Sequence, residues 1–338
     1  MKELRILLLI SILLAVALSG CLDGGDEEEE DEGDEHGGED TIYRQRMRDF
    51  VISIGEHARE TDPGFILIPQ NGHDILSLDP GEAGTPATDY IAAIDGLGQE
   101  DLLYGYDDKA TPEDVTEALQ ALLDLGESNG VEALVTDYCW TQSKMDDSYQ
   151  RNQEKDYISF AADHRDLDNI PDHPEEPHNV NSNDIDDLSE AENFLYLLDP
   201  SAFDSREDYL DALGATDHDV LIIDAFYGDN DMLTKTEVDA LKVKNNGGKR
   251  LVISYMSIGE AEDYRDYWNE EWKVGDPSFL KEENPEWEGN YKVEYWDPDW
   301  QEVIFGEDDS YADRLLASGF DGAYLDIIEA FEYFEDQD

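Results

Sequence analysis

The chain has 338 residues, of which 86 are Asp or Glu and 22 are Lys or Arg, so its formal net charge is −64. A charge of this size and sign repels nucleic acid and anionic lipid, which argues against binding to DNA, RNA or a bare membrane surface. The acids are spread over the whole sequence and 40% of the residues are apolar. This composition indicates a folded protein whose acidic, solvated surface is an adaptation to high salt.

The first twenty residues have the layout of a secretory signal peptide. Lys2 and Arg5 precede an apolar run over residues 6–18 that is short for a membrane span. The tetrapeptide at residues 18–21, Leu-Ser-Gly-Cys, resembles a lipobox. The resemblance implies cleavage before Cys21, lipid attachment to its sulfur and an extracytoplasmic protein held at the cell membrane by that anchor. An ordinary signal peptide with a chance cysteine is the alternative.

Residues 21–41 are predicted to form an acidic flexible tether. Twelve acids lie between Asp23 and Asp40, and a segment this charged cannot bury a core. The remaining residues, 42–338, are predicted to form one domain. The second cysteine, Cys139, follows a predicted strand and is expected to be a buried thiol, so no disulfide is expected if Cys21 is lipidated.

Residues 319–326 illustrate a unit that recurs through this domain. An apolar helix ends at Gly319, and a short apolar run follows at residues 323–325 and ends in the carboxylate of Asp326. Such units, repeated along the chain, predict an α/β fold with a parallel sheet covered by helices. The length suits a (β/α)8 TIM barrel of roughly 250 residues with additions. Comparable strands end at Asp137, Asp224 and Tyr255.

Nine segments are candidates for the strands of this barrel. They are residues 65–69, 91–97, 133–137, 157–161, 194–198, 220–224, 251–255, 292–296 and 323–326. Because eight strands close a TIM barrel, one candidate must lie outside it. We predict that residues 157–161 are the segment outside the barrel.

Polar side chains that end predicted strands are the candidate functional residues. They are Asn71, Glu100, Asp137, Asp224, Glu260 and Asp326. Ligands of parallel α/β folds bind at the carboxyl ends of the strands. Carboxylates among Trp and Tyr rings suit sugar chemistry, because one acid protonates the leaving oxygen while rings stack on sugar faces. Loop histidines without metal-ligand spacing predict no metal, and the absence of a phosphate loop predicts no nucleotide cofactor.

Several blocks resemble the endo-α-1,4-polygalactosaminidase family of glycoside hydrolases, family 114, and its prokaryotic barrel relatives. These blocks are residues 223–224, 255–262, 290–296 and 321–326, with further blocks at 68–72 and 98–100. In the relatives, the last two blocks follow the one that ends at Asp326, whereas here they precede it. The resemblance therefore implies a TIM barrel that is circularly permuted relative to the family, which adjacent chain ends tolerate.

The resemblance also implies the catalytic pair, Asp326 and Glu100, one as general acid and the other as base or nucleophile. A polysaccharide is the implied partner, in particular an α-1,4-linked galactosamine polymer, acted on by a monomer without a cofactor. A non-catalytic saccharide-binding lipoprotein on the same barrel is the alternative. The residues expected to bind substrate are Asn71, Asp137, Asp224, Tyr255, Glu260, Tyr295, Trp296 and Tyr324.

Overall fold

The computed structural model describes residues 40–79, 83–105, 108–228, 230–306 and 309–337. The α-helices are α1 Asp40–Thr61, α2 Thr88–Ile91, α3 Glu113–Glu127, α4 Gln142–Gln153, α5 Arg206–Gly214, α6 Lys235–Leu241, α7 Pro298–Ile304, α8 Tyr311–Ser318 and α9 Ala330–Glu335. Short 3-10 helices cover His73–Leu76, Leu188–Glu190 and Pro200–Ala202. The strands are β1 Ile66–Pro69, β2 Gly96–Glu100, β3 Tyr104–Gly105, β4 Lys109–Ala110, β5 Glu132–Tyr138, β6 Ile158–Ala162, β7 Phe194–Leu197, β8 Val220–Asp224, β9 Leu251–Ser257, β10 Glu260–Glu262, β11 Leu280–Glu283, β12 Asn290–Val293 and β13 Gly322–Asp326.

Eight of these strands form two wholly parallel sheets. One has the order β1-β13-β9-β8-β7 and the other the order β2-β5-β6. A parallel bridge between Gln70 and Gly98 connects β1 to β2, and β6 packs against β7 through the rings of Phe160 and Phe194, 5.8 Å apart. The predicted α/β fold with parallel strands is thereby confirmed. The closed barrel stays a prediction, which the two connections between the sheets favour.

Three predictions about the strands are wrong. In the predicted strand 91–97, Ile91 ends α2 and only Gly96 and Leu97 belong to a strand, β2. Residues 157–161 were predicted to lie outside the barrel, but β6 covers most of this segment and pairs with β5 as one of the eight parallel strands. Residues 292–296 were included, but β12 pairs antiparallel with β10 and β11 in a small separate sheet. The cause is local: β10 begins three residues after β9 ends, so the chain turns back at Ile258 and Gly259 and gives β12 an antiparallel neighbour.

Apolar stripes hold the helices against the sheets. On α1, Met47, Phe50, Val51 and Ile54 recur at helical spacing and are fully buried. Burying a side chain of this size contributes about 1.5–3 kcal/mol relative to leaving it in water. At the other end of the chain, α8 ends at Gly319, whose φ of 79° is the left-handed conformation that the sequence predicted for a helix stop.

The predicted signal peptide, Cys21 and all but the last two residues of the predicted tether lie outside the described residues. Asp40 and Thr41 already belong to α1, so this helix begins two residues before the predicted end of the tether. Within the described part of the chain, no helix has the length and apolar character that crossing a membrane requires.

The register of the sheet brings the strand-end acids to one edge. Asp326 at the end of β13 lies opposite Ser257 of β9, and Asp224 at the end of β8 lies opposite Tyr255. Glu100 ends β2, which β1 separates from β13. Because neighbouring parallel strands end at the same edge, Asp326 and Glu100 flank the end of β1.

Candidate active site

Asp326 is the half-buried last residue of β13. The Tyr255 hydroxyl donates to its Oδ2 over 2.6 Å. Burial raises the pKa of Asp326 to about 7, and the charges of Glu100 and Glu260 also raise it, whereas the Tyr255 hydrogen bond opposes the rise. Among the described residues, no Lys, Arg or His forms an ion pair with Asp326. The carboxyl therefore changes its charge near neutral pH.

Glu100, in contrast, lies among hydrogen-bond donors. Asn71 Nδ2 donates to Glu100 Oε2 over 3.1 Å, and both the Tyr138 hydroxyl and Arg165 Nη1 donate to Oε1, the latter over 3.4 Å. The Arg165 guanidinium also lies 4.2 Å from the centre of the Tyr138 ring. Two hydroxyl or amide donors and a cation are the surroundings that a carboxylate requires.

Asn71 connects the loop after β1 to Glu100. Its Oδ1 accepts from the backbone N–H of Glu100 over 3.1 Å and from Gln99 Nε2 over 3.4 Å. Asn71 has a φ of 55°, a left-handed conformation that Asn tolerates better than most residues. The side chain thus fixes the end of β2 and orients the Glu100 carboxylate at the same time.

Two of the other three predicted acids, Asp224 and Glu260, have cationic or amide partners. Asp224 receives both terminal nitrogens of Arg265, at 2.9 and 2.8 Å, and Arg265 Nε binds Glu262 over 2.8 Å. Glu260 is buried and accepts from Asn284 and Asn290, at 2.9 and 3.3 Å. Burial raises the pKa of both acids, and the partners oppose that rise.

Three of the predicted substrate-binding residues are held by contacts within the protein. Asp137 is fully buried and accepts hydrogen bonds from the backbone of Leu103 and Tyr104 and from Ser148 and Asn152. Tyr295 is fully buried, and its hydroxyl donates to the Tyr43 carbonyl. Trp296 packs on Tyr43 and Phe334 and under the Arg46 guanidinium, between α1 and α9. Each of the three side chains therefore has partners within the protein, and substrate contact by them stays a prediction.

Tyr324 is buried beneath the carboxyls. Its side chain is 0% exposed, and its hydroxyl has no hydrogen-bond partner among the described residues. A Cβ at Gly98 would overlap this hydroxyl, so the glycine makes room for the ring. Burial raises the pKa of Tyr324, and the charges of Glu100 and Asp326 raise it further. Tyr324 is thus a buried residue that packs against Gly98, and substrate contact by it stays a prediction.

Sequence reasoning missed four residues of the site. Glu329 lies in the turn after Asp326, and its buried Oε2 has no partner in the described part of the chain. Tyr138 and Arg165 contact Glu100, and Arg265 binds Asp224. The spacing of Asp326 and Glu329, three residues apart after a strand, was the only signal in the sequence. Tyr138 directly follows Asp137, and only Asp137 was singled out from the sequence.

No group of three His, Cys, Asp or Glu side chains in the described ranges has the arrangement of a metal site. Cys139 is fully buried, as expected. What the site offers is carboxyl chemistry: one acid that exchanges a proton near neutral pH and one that has the partners of a carboxylate. Enzymes that cleave glycosidic bonds with two carboxyl groups need one acid of each kind.

The comparison with protein families agrees with this class. Residues 176–338 match the model of glycoside-hydrolase family GH114. The resemblance to this family that the sequence suggested is therefore confirmed for the carboxyl-terminal part of the chain, which contains Asp224, Tyr255, Glu260 and Asp326. Asn71 and Glu100 lie outside the matched residues.

Similar proteins extend this result without adding an activity. The chain is 37% identical over 154 residues to the uncharacterized protein MJ1477 of Methanocaldococcus jannaschii, covering 46% of this chain and 42% of that protein. It is 39% identical over 123 residues to an uncharacterized protein of Deinococcus radiodurans, covering 36% and 37%. An uncharacterized protein of Thermotoga maritima is 50% identical over 82 residues, 24% of each chain. The chain thus spans less than half the length of these relatives.

One solved structure, a hyperthermophilic endo-beta-1,4-glucanase in complex with substrate, is 12% identical and aligns over 60% of this chain and 62% of its own. The TM-score of this alignment is 0.23. At that score the two chains are not shown to share a fold.

Proposed function

We propose that this chain is a glycoside hydrolase in which Asp326 is the general acid and Glu100 the base or nucleophile. The observation that carries the proposal is the contrast between two acids that flank the end of β1. Asp326 has a pKa raised to about 7 and no cationic partner among the described residues. Glu100 has an Arg165 guanidinium and two further donors.

The contrast suits the chemistry of glycoside cleavage. A general acid must hold its proton at the working pH, which a raised pKa permits. The partner acid must be ionised to activate water or attack the sugar carbon, and donors stabilise that form. As the glycosidic C–O bond breaks, the leaving oxygen takes the proton of Asp326, and Glu100 supports the positive charge that develops on the sugar.

For the substrate, we propose a polysaccharide, in particular one of α-1,4-linked galactosamine. The resemblance to the polygalactosaminidase family supports this choice, and so does charge. The candidate site contains four neighbouring carboxyl groups, those of Glu100, Glu260, Asp326 and Glu329. A polymer of protonated amino sugars carries the opposite charge. High salt would weaken that attraction but not the hydrogen bonds.

For the fold, we propose a closed (β/α)8 barrel that is circularly permuted relative to the family. Support comes from the parallel pairing of β1, the first strand, with β13, the last, and from the bridge between Gln70 and Gly98. The family match ends with the chain and leaves β1 and β2 outside it. A permutation joins the ends of a barrel at such a pair of neighbouring strands.

For the location, we propose a monomeric, lipid-anchored extracytoplasmic protein that is adapted to high salt. The anchor rests on the lipobox-like residues 18–21 and the salt adaptation on the charge of −64. Cys21→Ser should release the protein from the membrane fraction of expressing cells, and retention of the variant there would exclude the lipid anchor. Thermal unfolding of the soluble domain should move to higher temperature as salt screens its like charges.

A non-catalytic saccharide-binding protein is the second candidate. One observation favours it: of the two proposed catalytic acids, only Asp326 lies within the residues that match the glycoside-hydrolase family. Such a protein would bind the polymer and release no product.

Hydrolysis of a galactosamine polymer and of a panel of other glycans by the purified domain distinguishes the two candidates. New reducing ends from the wild type, abolished in Glu100→Gln and retained in Glu113→Gln, support the enzyme. Glu113 is an exposed acid in the first turn of α3 and controls for a change of charge alone. Binding of glycan without any product would establish the saccharide-binding candidate.

A further inference from the structure

The turn that follows Asp326 has a strained backbone. Ile327 has a φ of 63°, in the left-handed region that β-branched residues avoid. Such a conformation is costly and persists only where surrounding contacts impose it. Strain of this kind is concentrated at functional sites.

Two glycines allow neighbouring loops to press on this turn. A Cβ at Gly259, after β9, would overlap the Ile327 carbonyl oxygen. A Cβ at Gly72, after β1, would lie 2.9 Å from the backbone nitrogen of Glu329 and 3.0 Å from Ile328 Cγ2. The turn is therefore fixed from two sides, and with it the position of Glu329 relative to Asp326.

The Glu329 side chain has the environment of a neutral acid. It is half-buried, and its Oε2 is shielded from solvent without a hydrogen-bond partner among the described residues. An ionised carboxylate oxygen in that position would lose its hydration without compensation. Burial raises the pKa of Glu329 well above its ordinary value, and the charges of Asp326, Glu332 and Glu100 raise it further.

Groups on five other elements face these two carboxyls, and they are acids or phenols. They are Glu100 of β2, Tyr196 of β7, Tyr255 of β9, Glu260 of β10 and Glu332 of α9. Three cations on the elements that carry these acids have other partners: Arg165 pairs with Glu100, Lys292 lies 3.9 Å from Glu260, and Arg44 pairs with Glu335. A hydrogen bond from the backbone N–H of Glu329 itself favours the ionised form, but burial has the larger, opposite effect. The Tyr324 hydroxyl is buried, has no hydrogen-bond partner among the described residues and is subject to the charges of Glu100 and Asp326.

We propose that Glu329 is a positioning residue that stays protonated at neutral pH and donates a hydrogen bond toward Asp326, so that Asp326 alone exchanges a proton with the sugar. This inference rests on the proposed function for its catalytic meaning, but the protonation of Glu329 does not. A second ionised carboxylate beside Asp326 would hold the Asp326 proton too tightly for transfer at neutral pH. A protonated Glu329 thus keeps the pKa of Asp326 near neutral pH, where the proton can be transferred.

Infrared difference spectroscopy of the full chain, in the salt that keeps it folded, tests the protonation directly. At pH 8.5 the wild type minus Glu329→Gln spectrum should contain the C=O band of a protonated carboxylic acid. The subtraction cancels other buried acids such as Asp101, whose pKa burial raises to about 8. Glu335→Gln is the matched control, because Arg44 binds Glu335 with two nitrogens, at 2.8 and 3.0 Å, and a carboxylate band should disappear instead. A carboxylate band in the Glu329→Gln difference spectrum would overturn the proposal.

Kinetics test the donor role. Glu329→Gln keeps a neutral donor and should retain kcat within about threefold of wild type, with an unchanged pH profile. Glu329→Met fills the space without a donor and should lose roughly tenfold or more, as expected for a lost hydrogen bond to a charged group. Equal activity of the two variants would reject the donor role. If the wild type cleaves no glycan, the proposed function fails, and the infrared band still decides the protonation of Glu329.

Discussion

Asp224 and Asp326 end two strands that flank β9, at the same edge of one sheet, and yet their surroundings are opposite. Asp224 is bound by both terminal nitrogens of Arg265, whose side chain is 4% exposed. Asp326 receives one phenol hydroxyl, from Tyr255, and faces further acids. Position at the end of a parallel strand therefore does not distinguish a reactive acid from a structural one. The presence of a buried cation does.

The largest effect should be on turnover, because this comparison assigns the proton transfer to only one of the two acids. Asp326→Asn keeps the volume and removes the proton, and it should lower kcat by about 10²–10⁴-fold. Asp224→Asn should lower kcat far less in the protein that remains folded, because Asp224 acts through Arg265. Initial rates on the galactosamine polymer, corrected for the folded fraction by circular dichroism, measure both. A larger loss of kcat in Asp224→Asn would reverse the assignment.

The second effect is on stability and concerns Asp224, the acid that is bound by Arg265. Arg265→Gln leaves Asp224 and Glu262 buried without their cation, and breaking a buried ion pair costs about 3–5 kcal/mol. Lys235→Gln removes an exposed pair with Asp239, 61% and 50% exposed, and should cost less than about 1 kcal/mol. Urea unfolding at fixed high salt gives both free energies of unfolding. Equal losses would mean that burial of Arg265 adds nothing to its ion pairs.

The strands that carry these acids could be predicted because their signal is local. Residues 220–224 and 322–326 are apolar runs that end in Asp, and a glycine stops the helix before β13. The run at 292–296 alternates charged and apolar residues and also suits a strand, but β12 pairs with β10 and β11. The composition of a run does not show which strands it pairs with. The parallel strand β6 was excluded for the same reason, since counting candidates cannot show which one lacks a parallel neighbour.

The site was less predictable because its contacts join distant residues. Arg265 binds Asp224 from 41 positions away, and Arg165 reaches Glu100 from 65 positions away. Glu100 itself was predicted from the resemblance of a short block, without any sign of its donors. Glu329 was missed because its burial depends on the left-handed Ile327 and on two loops that press against it. Charge composition could not help, since this chain has acids almost everywhere.

The smallest effect, and the one that contrasts the two acids most directly, is the dependence of stability on pH. The pKa of Asp326 is raised from 3.8 to about 7, so the folded state binds this proton more tightly than the unfolded chain does. Its contribution to stability is complete below pH 4 and is lost as the pH rises through 7. Asp326→Asn should therefore be more stable than wild type at pH 8 and should show a flatter decline between pH 4 and 8. Asp224→Asn should be less stable than wild type at pH 8, because Arg265 loses the charge that compensates it.

Denaturant unfolding of the three proteins at pH 5 and pH 8, in constant high salt, measures the difference. If Asp326→Asn is destabilised at pH 8 to the same extent as Asp224→Asn, then Asp326 is an ion-paired structural acid like its neighbour, and its role as the proton donor is lost.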